Sequence, residues 1–90
     1  MAIWKYTLNP GRTILEIPAG GQVLAAQVQH ADLQLWVLVD PTAPLEVREF
    51  TVYGTGHHVA DDPGRQRTYI GTVQMAGGNL IVHVFEITGK

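Results

Sequence analysis

Leu33-Gln34-Leu35-Trp36-Val37-Leu38-Val39-Asp40 decides how the chain folds. Leu33, Leu35, Val37 and Val39 share one face of an extended run, and Gln34, Trp36, Leu38 and Asp40 share the other. Both faces are largely apolar, and Pro41 follows at once. A run of that kind reads as a central strand covered on both sides. The run 79–88 behaves likewise, with Leu80, Val82 and Val84 on one face and Ile81, His83, Phe85 and Ile87 on the other. Two strands buried on both sides predict a sandwich or a closed barrel rather than one open sheet.

Outward from these, five further runs carry the Val, Ile, Thr and aromatic signature of strands: 2–8, 12–18, 22–30, 47–53 and 67–75. None shows an apolar stripe at helical spacing. Asn9-Pro10-Gly11, Ala19-Gly20-Gly21, His30-Ala31-Asp32 and Gly77-Gly78-Asn79 punctuate the runs, and Asp40-Pro41-Thr42-Ala43-Pro44 ends the fourth. Such short connections favour antiparallel neighbours, because parallel pairs need long crossovers. The expectation is an all-β chain: residues 1–90 as a single small antiparallel sandwich or barrel-like domain of about seven strands. Gly71, inside a strand pattern, predicts a bulge or a close backbone approach.

Composition narrows the function. Eight acidic and six basic residues give a formal charge of -2, a poor footprint for non-specific nucleic acid or anionic membrane. No apolar run approaches the ~20 residues of a membrane helix. There is no cysteine, which excludes disulfides and Cys-based zinc sites. The opening Met1-Ala2-Ile3-Trp4-Lys5 lacks the layout of a signal peptide, so a cytoplasm is the expected setting. A domain this small buries a thin core, and pairing with further copies would cover more apolar surface. A homo-oligomer is therefore expected.

The longest stretch without strand character is 54–66, Gly-Thr-Gly-His-His-Val-Ala-Asp-Asp-Pro-Gly-Arg-Gln. Long loops in compact domains are commonly functional, and this one is the candidate site. It also reads as an ordinary surface connection whose Gly and Asp residues serve turns. As a binding loop, Gly54, Thr55 and Gly56 would turn backbone N–H groups toward an anion, with His57, His58, Arg65 and Arg67 adding charge. It is neither a P-loop nor a dinucleotide fingerprint. A metal reading would take His57, His58, Asp61, Asp62 and His83, but adjacent histidines on an extended chain point apart. A His–Asp catalytic reading lacks a nucleophile: the chain has neither cysteine nor serine. No metal or other cofactor is expected, and neither is enzymatic activity.

Two strand residues join the candidate site. His83, among Ile81, Phe85 and Ile87, is a satisfied core or interface histidine or a contact beside the long loop. Trp36 is a packing residue or a stacking surface for a ring. Trp4 and Tyr6 read as packing residues, and Asp40 as the acid of an Asx turn.

Ile3-Trp4-Lys5-Tyr6, Leu35-Trp36-Val37-Leu38-Val39-Asp40-Pro41, Gly54-Thr55-Gly56-His57, Tyr69-Ile70-Gly71-Thr72 and Val82-His83-Val84-Phe85-Glu86 occur together in this order. As a set they resemble a family of small proteins carried by bacteriophages and prophages, a domain of unknown function. The resemblance spans nearly the whole chain. It implies a phage-encoded accessory protein of the host cytoplasm and supplies no activity, substrate or catalytic residue. The chain departs from the family pattern at His58, where an aliphatic residue is expected. The functional expectation is a non-enzymatic binding protein, for instance an anti-defence sponge that sequesters an anionic nucleotide-derived signal through the 54–66 loop. The alternative is a structural or protein-interaction module: an oligomer or virion subunit, or an inhibitor of a host protein. A His- or metal-dependent hydrolase ranks last.

Overall fold

Alternation with a period of two carries through to the computed structural model, which describes residues 1–89. The strands are β1 (Ala2–Leu8), β2 (Gly11–Pro18), β3 (Gln22–Gln29), β4 (Asp32–Val39), β5 (Leu45–Gly54), β6 (Arg65–Met75) and β7 (Leu80–Gly89). They form two antiparallel sheets, one of three strands in the order β1-β4-β3 and one of four in the order β2-β5-β7-β6. The expected seven-strand all-β domain is present, as a sandwich. Leu33, Leu35, Val37 and Val39 of β4 meet Phe50, Val52, Val82 and Val84 of the other sheet, and these residues form the buried core.

β4 and β7 are central strands, as their sequences predict, but each has only one face in the core. On the outer face of the three-stranded sheet, Trp36 and Leu38 are half-buried with no layer above them. Their cover is lateral: Lys5 and Ala25 lie beside Trp36, and Ile3 and Gln22 beside Leu38.

The short connections do two different jobs. His30 and Ala31, at φ of 52° and 70°, make the tight hairpin between β3 and β4. Asn9–Pro10 and Ala19–Gly21 instead carry the chain from one sheet to the other, so β1, β2 and β3 are not ladder neighbours in chain order. Pro10 cannot donate to a ladder. The expected hairpin turn at Gly77-Gly78-Asn79 is a 3₁₀ turn over Ala76–Gly78, in which Asn79 N–H donates to the Ala76 carbonyl. The bulge expected near Gly71 falls between Tyr69 and Gly71 on β6, and a second lies between Val23 and Ala25 on β3.

The 54–66 loop is shorter than its composition suggests, because Gly54 closes β5 and Arg65 opens β6. Its length has a topological cause. β5 and β6 both run antiparallel to β7, which lies between them, so they are parallel to each other. Residues 55–64 must therefore return the length of the sheet. The Gly54–Val82 and Arg65–Gly89 pairs lie about 24 Å apart along β7, and two strand spacings add about 10 Å sideways. The direct path from Gly54 to Arg65 is about 26 Å; hydrogen bonds close the Gly54–His57 and Asp62–Arg65 turns, each spanning at most about 7 Å, and the five steps between them add at most about 18 Å, a reach of about 32 Å that leaves about 6 Å of slack. The connection is a taut strap rather than a free loop.

A polar clasp ties the two sheets together. Arg48 Nε and Nη2 donate to the Glu86 carboxylate at 2.6 and 2.8 Å, and Nη1 donates to the Gly21 carbonyl at 2.6 Å. Both charged side chains are 15% exposed. The guanidinium also lies over the Phe50 ring, 5.8 Å from its centroid.

Candidate functional site

Gly54-Thr55-Gly56-His57 folds as a β-turn in which His57 N–H donates to the Gly54 carbonyl at 3.1 Å. Gly56 sits at φ 86°, a conformation that glycine takes without steric cost. The turn brings the His57 ring back over Gly54, where an added Cβ would stand 2.9 Å from the ring. The absence of a side chain at 54 is thus what seats His57.

His57 and His58 reach the open end of the sandwich. A cleft of about 690 Å³ lies there between the two sheets. Leu8, Leu33, Val52, Met75, Leu80 and Val82 supply its apolar walls, and Asn9, Asp32, Tyr53 and the two histidines its polar groups. The cleft opens where β1 crosses into β2, where the β3–β4 hairpin turns and where β6 meets β7. Its volume and mostly apolar lining are those of a small-molecule site.

The other expected site residues fall elsewhere. Thr55 N–H donates to the Ile81 carbonyl at 3.0 Å, so with His57 N–H two of the turn's amides are already used within the fold. His83 lies on the outer face of the four-stranded sheet beside the root of the strap. Its Nε2 is 2.7 Å from Thr55 Oγ1 and its Nδ1 3.0 Å from Thr72 Oγ1, which in turn is 2.6 Å from the Tyr69 hydroxyl. Either ring nitrogen can serve as donor, because a threonine hydroxyl both donates and accepts.

Arg65 and Arg67, expected to add charge to the anion site, lie within β6 and brace the strap. Arg65 Nη2 donates to Glu49 at 2.8 Å and its Nη1 lies 3.7 Å from Asp62, while Arg67 Nη1 donates to the Ala60 carbonyl at 3.1 Å. Glu49 also pairs with Arg12 at 3.1 Å. The hydrogen bond to Glu49 holds the Arg65 guanidinium above its ordinary value. Trp36 lines none of the cleft and lies on the outer face of the other sheet. Among the described residues no three His, Asp or Glu side chains converge as metal ligands.

The cleft walls were missed from sequence. Leu8, Val52 and Met75 look like any other inward strand residue, and only the separation of the two sheets at that end distinguishes them. Asp40 is where local chemistry predicts it: Thr42 N–H and Oγ1 donate to its carboxylate at 3.0 and 2.7 Å. Those bonds hold its carboxyl below the usual aspartate value.

Fold and site together define a small β-sandwich with an apolar cleft at one open end and two histidines at the rim. Residues 1–90 match the model of a domain of unknown function, DUF7352, and the chain belongs to that family. No curated protein and no solved structure matches it.

Proposed function

We propose that the protein is a non-enzymatic binding module that works through the cleft at the open end of the sandwich. The observation that carries this reading is the cleft itself, about 690 Å³ with apolar walls and His57 and His58 at its rim. Its complement is a largely apolar or aromatic body with one anionic or accepting head. A nucleotide-derived signal fits that description with its base against Met75 and Leu80 at the mouth of the cleft and a phosphate at the histidines. Sequestration of such a signal by a phage-borne protein in the host cytoplasm belongs to the same proposal; the phage setting rests on the sequence resemblance alone.

The test is calorimetry and thermal shift with cyclic dinucleotides, ADP-ribose and small aromatic carboxylates. Binding by any of them, reduced at least tenfold in His57→Ala and in Leu80→Glu at the exposed rim, supports the reading. Silence from the whole panel removes small-molecule binding.

A protein-interaction role is the second reading, favoured by a specific observation. Arg12, Arg48, Arg65 and Arg67 are all engaged within the fold and none of them lines the cleft, so among the described cleft residues the only side chains that can carry positive charge toward a phosphate are the histidines. An apolar side chain of a partner protein needs no such cation.

A further inference from the structure

Sheet edges invite pairing unless bulges, prolines or charges block them. β3 and β6 each carry a bulge and pack against one another across the sandwich. β2 sets Arg12 and Glu16 along its outer face and ends at Pro18. β1 has neither bulge nor proline, its one charge, Lys5, reaches across the outer face of the sheet to donate to Gln29 of β3 at 2.7 Å, and its register with β4 is continuous from Ala2 to Leu8.

β1 is also apolar on both faces at its exposed end. Ile3 pairs with Leu38 on the outer face and is 59% exposed. Trp4 pairs with Val37 and points between the sheets, yet is 39% exposed, because the flank beside β1 is open. Apolar side chains on both faces are the pattern of an interior strand, although β1 has a neighbour on one side only. The whole molecule carries surplus surface to match. Its 5697 Å² of accessible surface exceeds by about 500 Å² what a compact monomer of this mass exposes. Its radius of gyration is 13.3 Å, against about 12 Å for a compact domain of this length. A standard interface takes about 800 Å² from each partner, an amount of the same order.

We propose that β1 is the edge through which two copies of this chain pair, antiparallel about a two-fold axis, so that two three-stranded sheets join into one. An axis near Trp4 sets Lys5 of each copy opposite Ile3 of the other and keeps like charges apart. This pairing is independent of the cleft: a ligand-free dimer and a ligand-binding monomer are both observable results.

Sedimentation velocity on the full chain tests it. The wild-type chain is expected to sediment at about twice 9.8 kDa. Ile3→Lys and Trp4→Lys, checked for folding by circular dichroism, should raise the dimer dissociation constant at least tenfold. Val47→Lys, at an exposed site on β5, should leave it unchanged. Independently of any variant, amides on the free side of β1 should exchange more slowly as protein concentration rises. A wild-type monomer at submillimolar concentration overturns the proposal. So does a dimer indifferent to both β1 variants, or one dissolved equally by Val47→Lys.

Discussion

Arg48 makes three hydrogen bonds and bridges the two sheets, so its removal is felt on both sides. Arg48→Met leaves the Glu86 carboxylate and the Gly21 carbonyl without partners and should cost about 3–5 kcal/mol in urea unfolding. Replacing both members of the pair, Arg48→Met with Glu86→Leu, should recover much of that loss, since the uncompensated charge is then gone. Ala31 tells a smaller story. It holds φ 70°, a left-handed conformation that glycine adopts freely, so Ala31→Gly should stabilise the hairpin by about 0.5–1 kcal/mol. Asp40 gives the chain a pH dependence of known sign. Its folded value lies below the ordinary 3.8, so its contribution is present above that value and is lost as pH falls through the lowered one. Acid titration of the melting temperature should therefore show a step in the wild type that Asp40→Asn lacks. The Asp40 turn was legible in the sequence because its partner is two residues away. The Arg48–Glu86 clasp was not, because its members are 38 residues apart and nothing local marks them as a pair.

At the scale of elements, strand existence was legible and strand pairing was not. Inward and outward residues alternate in β2, β4 and β7 as their sequences show, and the misplaced boundaries lie within two residues at strand ends. Asn9–Pro10 and Ala19–Gly21 read the same whether they close a hairpin or step between sheets. The choice is made by the core, which needs Leu8 and Ile17 on opposing layers. The strap was legible as the one long connection, but its reason was not, since parallel β5 and β6 follow only from β7 lying between them. The strap's tautness is directly testable. Deleting two residues between Val59 and Pro63 removes about 7 Å of reach, more than the slack that remains. Hydrogen exchange should then show that amides of Arg65 to Thr68 lose protection while those of β4 keep theirs. Full protection in the deletion variant would mean that the connection has length to spare.

On the scale of the whole molecule, two thin sheets meet firmly at the clasp and stand apart at the end where the Gly-His turn lies. The separation creates the cleft, and the strap's first four residues place His57 and His58 at its rim. Of the nine site residues singled out in the sequence, Gly54, His57 and His58 line the cleft, and Thr55 and Gly56 only shape the turn. Thr55 also bonds His83 on the sheet behind, Arg65 and Arg67 hold the strap, and Trp36 stands on the opposite sheet. Residue types that suit a ligand were visible in the sequence; which of them share a space was set by the topology. The central claim is that the working surface of this protein is the open end of the sandwich. The most direct test is a two-dimensional amide and methyl NMR titration with the nucleotides and aromatic carboxylates above. The account predicts shifts concentrated at Leu8, Leu33, Val52, His57, Leu80 and Val82; shifts centred instead on Trp36 and the outer face of the three-stranded sheet would contradict it.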